Sequence, residues 1–175
     1  MTPILTTDYF WGNLQLQFLN VKPSNADGLT DRVASGAKRT EIDQFIAKYE
    51  IEALYDVLGV KLADEFVQGL SVETPDTKWT WLKDQIYNTT TKTSFVANYV
   101  WIIYSRYTTV RQTARATIES KVGKAQTVSN TINEVDAWNE FVKLARRVQQ
   151  LIRENDDFAD VVCLPRIETI NEFGI

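Results

Sequence analysis

Three pairs of acidic residues lie close together in the sequence, and carboxylates are a residue type that can bind divalent cations or carry out acid–base chemistry. They are Asp64/Glu65, Asp156/Asp157 and Glu41/Asp43. Two carboxylates that converge on a cleft can hold a cation or move a proton. Adjacent residues on a helix point about 100° apart, however, so the first pair does not face one site. We therefore expect these acids on solvated surfaces, and we predict neither a metal site nor catalytic residues.

The sequence also lacks the residues that most enzymes use for nucleophilic or metal-assisted catalysis. It has no histidine and a single cysteine, Cys163, which excludes histidine-based catalysis, histidine metal ligands, cysteine clusters and an intrachain disulfide. Cys163 lies in "VVCLP", where a small buried hydrophobic side chain is expected. "VGK" at 122–124 lacks the other elements of a phosphate-binding loop. We predict a protein that is not an enzyme and needs no cofactor.

One segment, residues 104–130, is basic in an otherwise acidic chain whose net charge is -4. Against Glu119 it carries five basic residues: Arg106, Arg111, Arg115, Lys121 and Lys124. These side chains could contact nucleic-acid phosphates, or could dock on an acidic surface of a partner or of a neighbouring copy. They could equally be solubilising charges on an ordinary surface connection. The residues alone leave all three interpretations open.

The elements that position these residues are mostly helical. Apolar residues recur at three- and four-residue steps, which predicts helices over about 40–58, 60–70, 77–87, 95–107 and 130–154. Thr40 and Ser94 are predicted as N-caps, and Gly59 as a C-cap. The fourth helix is apolar on most sides, so we expect its neighbours to cover it. The 175 residues are enough for one domain, and we predict a single bundle of about five helices over 1–175.

Three segments lie outside the predicted helices. In the N-terminal arm, residues 1–30, Leu14, Leu16 and Phe18 alternate with polar residues as in an edge strand. Residues 108–129 are rich in threonine and favour a projecting two-stranded ribbon. The C-terminal arm, 155–175, is apolar and irregular, with five candidate partner-contact residues: Leu164, Ile167, Ile170, Phe173 and Ile175. Each arm either packs on its own domain or is exchanged with a neighbouring subunit.

No segment of the sequence is typical of membrane insertion or secretion. The most apolar run, "FVANYVWIIY", has ten residues and includes Asn98, whereas a membrane span needs about 20. The N-terminus "MTPILTTDYF" lacks a basic region followed by an apolar core. We expect a soluble protein made in a cytoplasm, with no membrane partner.

The order of several short motifs along the chain resembles small helical head–tail connector proteins, or neck adaptors, of tailed bacteriophages, notably of the crAss-like gut phages. The motifs are "ILTTDYFWG" at 4–12, "IDQFIAKYEIEALYDVLGVKLADEF" at 42–66, "KWTWLKDQIYN" at 78–88, "FVANYVWIIYSR" at 95–106, "AWNEFV" at 137–142 and "INEFGI" at 170–175. Each motif alone is weak, and their order carries the resemblance.

The resemblance implies a structural virion protein located at the neck. Such connectors form a homo-oligomeric ring, commonly twelve-fold, that docks to the portal protein and joins the capsid to the tail around the DNA channel. Other neck or tail proteins would be partners, and contact with packaged DNA would be non-specific. In that setting the basic segment would project to meet an adjacent ring or the channel wall. The alternative function is a nucleic-acid-binding helical module that uses residues 106–124.

Overall fold

The structure, a computed structural model, describes residues 3–16, 28–119, 131–161 and 163–170, with the backbone alone for 28–35, 109–119 and 131–132. Within these ranges the chain forms five helices: α1 (Gly28–Leu58), α2 (Val60–Ser71), α3 (Thr77–Ile86), α4 (Phe95–Glu119) and α5 (Thr131–Glu154). The prediction of a mostly helical bundle is confirmed. None of the described helices is both long and apolar enough to cross a lipid bilayer.

Helix α4 lies at the centre of the bundle, between α1 and α5. Its first turns are buried on most sides, as the sequence predicted. Tyr99 near the start of α4 lies beside Asp56 of α1, whereas Tyr104 further along packs on Phe45. Helices α1 and α4 are therefore antiparallel. Phe95 contacts Phe141, whereas Arg106 further along α4 pairs with Glu134 near the start of α5, so α5 is also antiparallel to α4.

Helix α1 begins at Gly28, well before the predicted start at Thr40. The prediction that Thr40 is an N-cap is wrong. Its hydroxyl donates to the carbonyl of Gly36 at 3.1 Å, which is the usual bond of a threonine inside a helix. The first buried side chain described on α1 is Ile42. The apolar pattern therefore starts where the core starts, not where the helix starts.

Helix α4 continues to Glu119, past the predicted end near residue 107. The prediction of a β-ribbon is wrong for 108–119, which are helical, and 120–129 lie outside the described residues. The strand preference of threonine is weak and depends on its context, and the alanine, arginine and glutamine residues of 111–116 favour a helix. The predicted cap is confirmed: the Ser94 hydroxyl accepts the backbone N–H of Val96 at 3.2 Å.

Helices α2 and α3 pack at the end of the bundle where α1 and α5 finish. Gly59 joins α1 to α2 with φ +77°, a backbone conformation that favours glycine. The ring of Trp79 on α3 packs between Phe66 of α2 and Phe158, which follows α5. Asp76 caps α3 by accepting the N–H of Lys78. These contacts make α2, α3 and the end of α5 one apolar cluster.

The described part of the N-terminal arm folds onto its own helices. Residues Thr7–Tyr9 and Gly12–Leu14 form two short 3₁₀ turns, so the predicted strand is not observed there. Leu5, Tyr9, Phe10 and Leu16 are buried in the core. Phe18, the third residue of the predicted alternation, lies outside the described residues.

The described part of the C-terminal arm also packs on its own chain, in an extended course along α5. Ile167 is buried and Leu164 packs against the core. Cys163 is exposed, so the prediction that it is buried is wrong. The next residue, Leu164, packs against the core, and in an extended chain neighbouring side chains point in opposite directions.

Candidate functional site

The most distinctive feature of the charge distribution is a pair of helix ends that continue beyond the buried side chains described for α1 and α4. We call residues 28–40 of α1 and 106–119 of α4 the cationic extension. Because α1 and α4 are antiparallel, both segments leave the same end of the bundle, and each is about 20 Å long. Residues 36–40 are all exposed. The two segments lie at the same end of the bundle although about 70 residues separate them in the sequence.

The cationic extension concentrates positive charge at one end of the molecule. Its six basic residues are Arg32, Lys38, Arg39, Arg106, Arg111 and Arg115, against the two acids Asp31 and Glu119. The extension thus carries +4 within a chain of -4, which leaves -8 on the rest. The sequence pointed to the α4 half only, since the α1 half becomes its neighbour through folding.

The predicted basic residues are placed unequally. Arg106 is exposed at the base of the extension, and its Nε pairs with a Glu134 carboxylate oxygen at 3.2 Å. The Ser105 hydroxyl donates to the other oxygen of Glu134 at 3.4 Å. Arg111 and Arg115 lie four residues apart on the final turns of α4. Lys121 and Lys124 lie outside the described residues.

The described part of the C-terminal arm, which includes three of the predicted contact residues, is hydrogen-bonded along α5. Four α5 side chains hold the arm's backbone: Arg146 donates two bonds to the Ile167 carbonyl, Gln149 donates to that of Pro165, Trp138 donates to that of Glu168, and Asn139 exchanges two bonds with Ile170. Leu164 and Ile167 face their own helices, and Ile170 is exposed. Phe173 and Ile175 lie outside the described residues.

The two carboxylates of the Asp64/Glu65 pair have different partners. The Tyr55 hydroxyl donates to Asp64 at 2.9 Å, whereas Glu65 faces Lys61 at 4.0 Å. Asp156 and Asp157 are both exposed beside a short 3₁₀ turn. Across the described ranges, no three acidic or cysteine side chains form a cluster suited to a metal ion.

A buried carboxylate that the sequence did not single out anchors the N-terminal arm. Glu50 on α1 is 3% exposed and accepts the backbone N–H groups of Ile4 and Leu5, each at 3.0 Å. The Tyr87 hydroxyl donates to the same carboxylate at 2.5 Å. Burial raises the pKa of Glu50, although these three hydrogen bonds lower it in part. Because it accepts hydrogen bonds from two backbone N–H groups of the arm, the Glu50 carboxylate holds the arm in place.

Comparison with protein-family models, curated proteins and solved structures found no significant match to the chain. The resemblance to phage connectors therefore stays a prediction. The cationic extension remains the feature that sets this acidic chain apart, because its net charge is positive.

Proposed function

We propose that the chain is the repeating subunit of a head–tail connector ring in a tailed bacteriophage. In this role it docks to the portal protein and joins the capsid to the tail around the DNA channel. The order of motifs along nearly the whole sequence supports the family. The cationic extension is the single structural observation that carries the proposal, because a charged two-helix projection on a packed bundle suits docking to another subunit.

The charge distribution supports contact with acidic protein surfaces. The body of each subunit carries -8, so neighbouring copies offer acidic surfaces to the extension. Complementary charges speed encounter and select the partner more than they raise affinity. A contact between different surfaces of successive copies closes into a ring when the rotation fits. The Arg106–Glu134 ion pair links the base of the extension to α5.

The state of assembly of the purified protein tests this proposal. We expect electron microscopy and sedimentation to detect rings, either alone or with purified portal protein. Arg111→Glu should lower the ring fraction, because it reverses a charge on the extension. Lys61→Glu reverses an exposed charge on α2 and should leave the rings intact. A protein that stays monomeric and binds no portal contradicts the proposal.

A nucleic-acid-binding module that uses residues 106–124 is the second candidate. Six basic residues on two adjacent helix segments favour it, because phosphate contacts give sequence-independent affinity. This function predicts a DNA mobility shift that weakens steeply with added salt and with Arg111→Glu. DNA binding by a protein that never assembles would favour this candidate over the ring.

A further inference from the structure

A tryptophan held at the surface marks a second candidate interaction site. The side chain of Trp11 is 55% exposed. Its indole N–H donates to the carbonyl of Lys92 at 2.8 Å, which fixes the orientation of the ring. A large aromatic ring that is immobilised before binding loses little conformational entropy in a contact, and tryptophan is enriched among energetically dominant interface residues.

Trp11 borders a groove of about 300 Å³, which we call the Trp11 groove. It lies between the N-terminal arm, the start of α4 and one face of α5. The lining residues used below are Trp11, Leu14, Lys92, Asp136, Ala137 and Glu140. The floor is apolar, since Ala137 is buried and Leu14 packs against the core. The groove thus combines an indole face with a charged wall.

The charged wall of the groove is acidic. Asp136 and Glu140 are one turn apart on α5, and both are exposed. Glu140 pairs with Lys143 at 3.1 Å, whereas no described residue forms an ion pair or hydrogen bond with Asp136. The Lys92 ammonium lies 5.4 Å from the centre of the Tyr9 ring. Asp136 is therefore the carboxylate that is available to an incoming cation.

An indole face beside a carboxylate suits an arginine or lysine side chain. A guanidinium can stack on tryptophan through a cation–π contact while it donates hydrogen bonds to a carboxylate. We propose that the Trp11 groove receives a basic side chain from the cationic extension of a second copy of this chain. This inference rests on the proposed function, because it names the contact between successive subunits.

Arg111 and Arg115 of the same subunit do not reach the groove. Asn98 lines the groove near the start of α4, and the helix then runs away from it toward Glu119. Arg111 is thirteen residues further along α4, or about 20 Å. Lys92 of the same chain lines the groove, but an arginine of the final turns of α4 that enters the groove must come from another molecule. The contact joins two different surfaces, so each subunit acts once as donor and once as acceptor.

Two complementary variants of the full-length protein test the proposal. The acceptor variant, Trp11→Ala with Asp136→Lys, changes the groove and keeps the extension. The donor variant, Arg111→Glu with Arg115→Glu, changes the extension and keeps the groove. We expect each variant alone to self-associate at least about tenfold more weakly than wild type. Mixed together, they should form dimers, since one intact donor meets one intact acceptor.

Matched changes elsewhere separate the groove from general surface effects. Val72→Ala removes an exposed apolar residue and Glu73→Lys reverses an exposed acid, and neither residue lines the groove. We expect both proteins to assemble like wild type at low and at high salt, in sedimentation and in mass photometry. Circular dichroism of Asp136→Lys alone checks that the helices are intact, because this exposed residue does not pack in the core.

The outcomes distinguish this inference from the proposed function. If the acceptor variant forms rings as well as wild type does, the inference about the Trp11 groove is wrong, whereas the proposal of a ring subunit is unaffected. The same holds if donor and acceptor variants stay monomeric when mixed while wild type forms rings. A wild-type protein that remains monomeric at low salt and binds no portal overturns both.

Discussion

At the residue scale, Glu50 shows how one buried carboxylate can hold a chain segment. Three donors converge on it, two from the backbone of the N-terminal arm and one from Tyr87. In "KYEIEAL" nothing in the pattern separates Glu50 from Glu52 two residues later. The difference arises from the arm, which covers one residue and leaves the other half-exposed. The N-terminal arm has no helical periodicity, so its contact with Glu50 could not be predicted from the spacing of apolar residues.

We predict that Glu50→Gln becomes more stable relative to wild type as pH rises from about 4 to 7. Burial raises the pKa of Glu50 in the folded protein. The folded state therefore binds this proton more tightly than the unfolded chain, so the stability that Glu50 contributes is greatest in acid and decreases through the folded pKa. The change amounts to about 1.4 kcal/mol for each unit by which the pKa is raised.

Denaturant unfolding of Glu50→Gln and wild type across this pH range measures that change. Glu52→Gln, on the same helix but half-exposed, is the control. A stability difference between Glu50→Gln and wild type that stays constant with pH would mean that the hydrogen bonds offset the burial of the carboxylate.

At the element scale, the five helices could be predicted from apolar spacing, whereas two of their ends could not. The predicted pattern begins at Ile42, the first buried side chain described on α1, and ends near Tyr107 of α4, whose ring contacts Phe45. Beyond them large apolar residues are sparse, with Leu29 and Val33 on α1 and Val110 and Ile118 on α4. So few positions do not predict a helix. The sequence pattern therefore indicated only the α4 half of the cationic extension, and it predicted a connection there instead of a helix.

Gly69 is required by packing between two elements, and we predict that Gly69→Ala destabilises the protein. A methyl group added there would lie 2.2 Å from the Trp79 ring. Such overpacking costs about 1–3 kcal/mol, which outweighs the gain of up to about 1 kcal/mol in helix propensity. Gly36→Ala is the matched control, because nothing lies within 4 Å of its added methyl group.

Thermal and denaturant unfolding of the two alanine variants should therefore give opposite signs. We expect Gly36→Ala to be slightly more stable than wild type and Gly69→Ala to be less stable. If both variants were stabilised, the Trp79 ring would have to move away from α2 at little cost. In "FVQGLSV" Gly69 has the appearance of a weak helical position, and only the neighbouring helix explains it.

At the scale of the whole molecule, folding separates charges that the sequence intersperses. Antiparallel packing of α1 and α4 collects basic residues at one end. Helices α2 and α3 and the end of α5 meet at the other, where residues 52–85 and 150–161 together carry eleven acids and four basic residues. The chain alone indicated a basic segment in an acidic protein. The fold turns it into a molecule with a positive and a negative end, as head-to-tail contacts between copies would require.

Two deletions in the C-terminal arm can distinguish its contribution to folding from its contribution to assembly. We predict that removing residues 158–175 lowers the melting temperature, whereas removing 171–175 leaves it close to that of wild type. The longer deletion takes away Phe158, whose ring packs against Trp79 and Trp81, and the buried Ile167. Loss of one buried phenylalanine side chain costs about 3–5 kcal/mol.

The shorter deletion keeps the arm bound along α5 through Ile170, whose backbone exchanges two hydrogen bonds with Asn139. Calorimetry of both proteins measures the difference, and sedimentation of the 171–175 deletion then reports on assembly in a folded subunit. If the 158–175 deletion melted like wild type, the arm would not belong to the core. That result would favour the alternative in which Leu164 and Ile167 contact a neighbouring subunit.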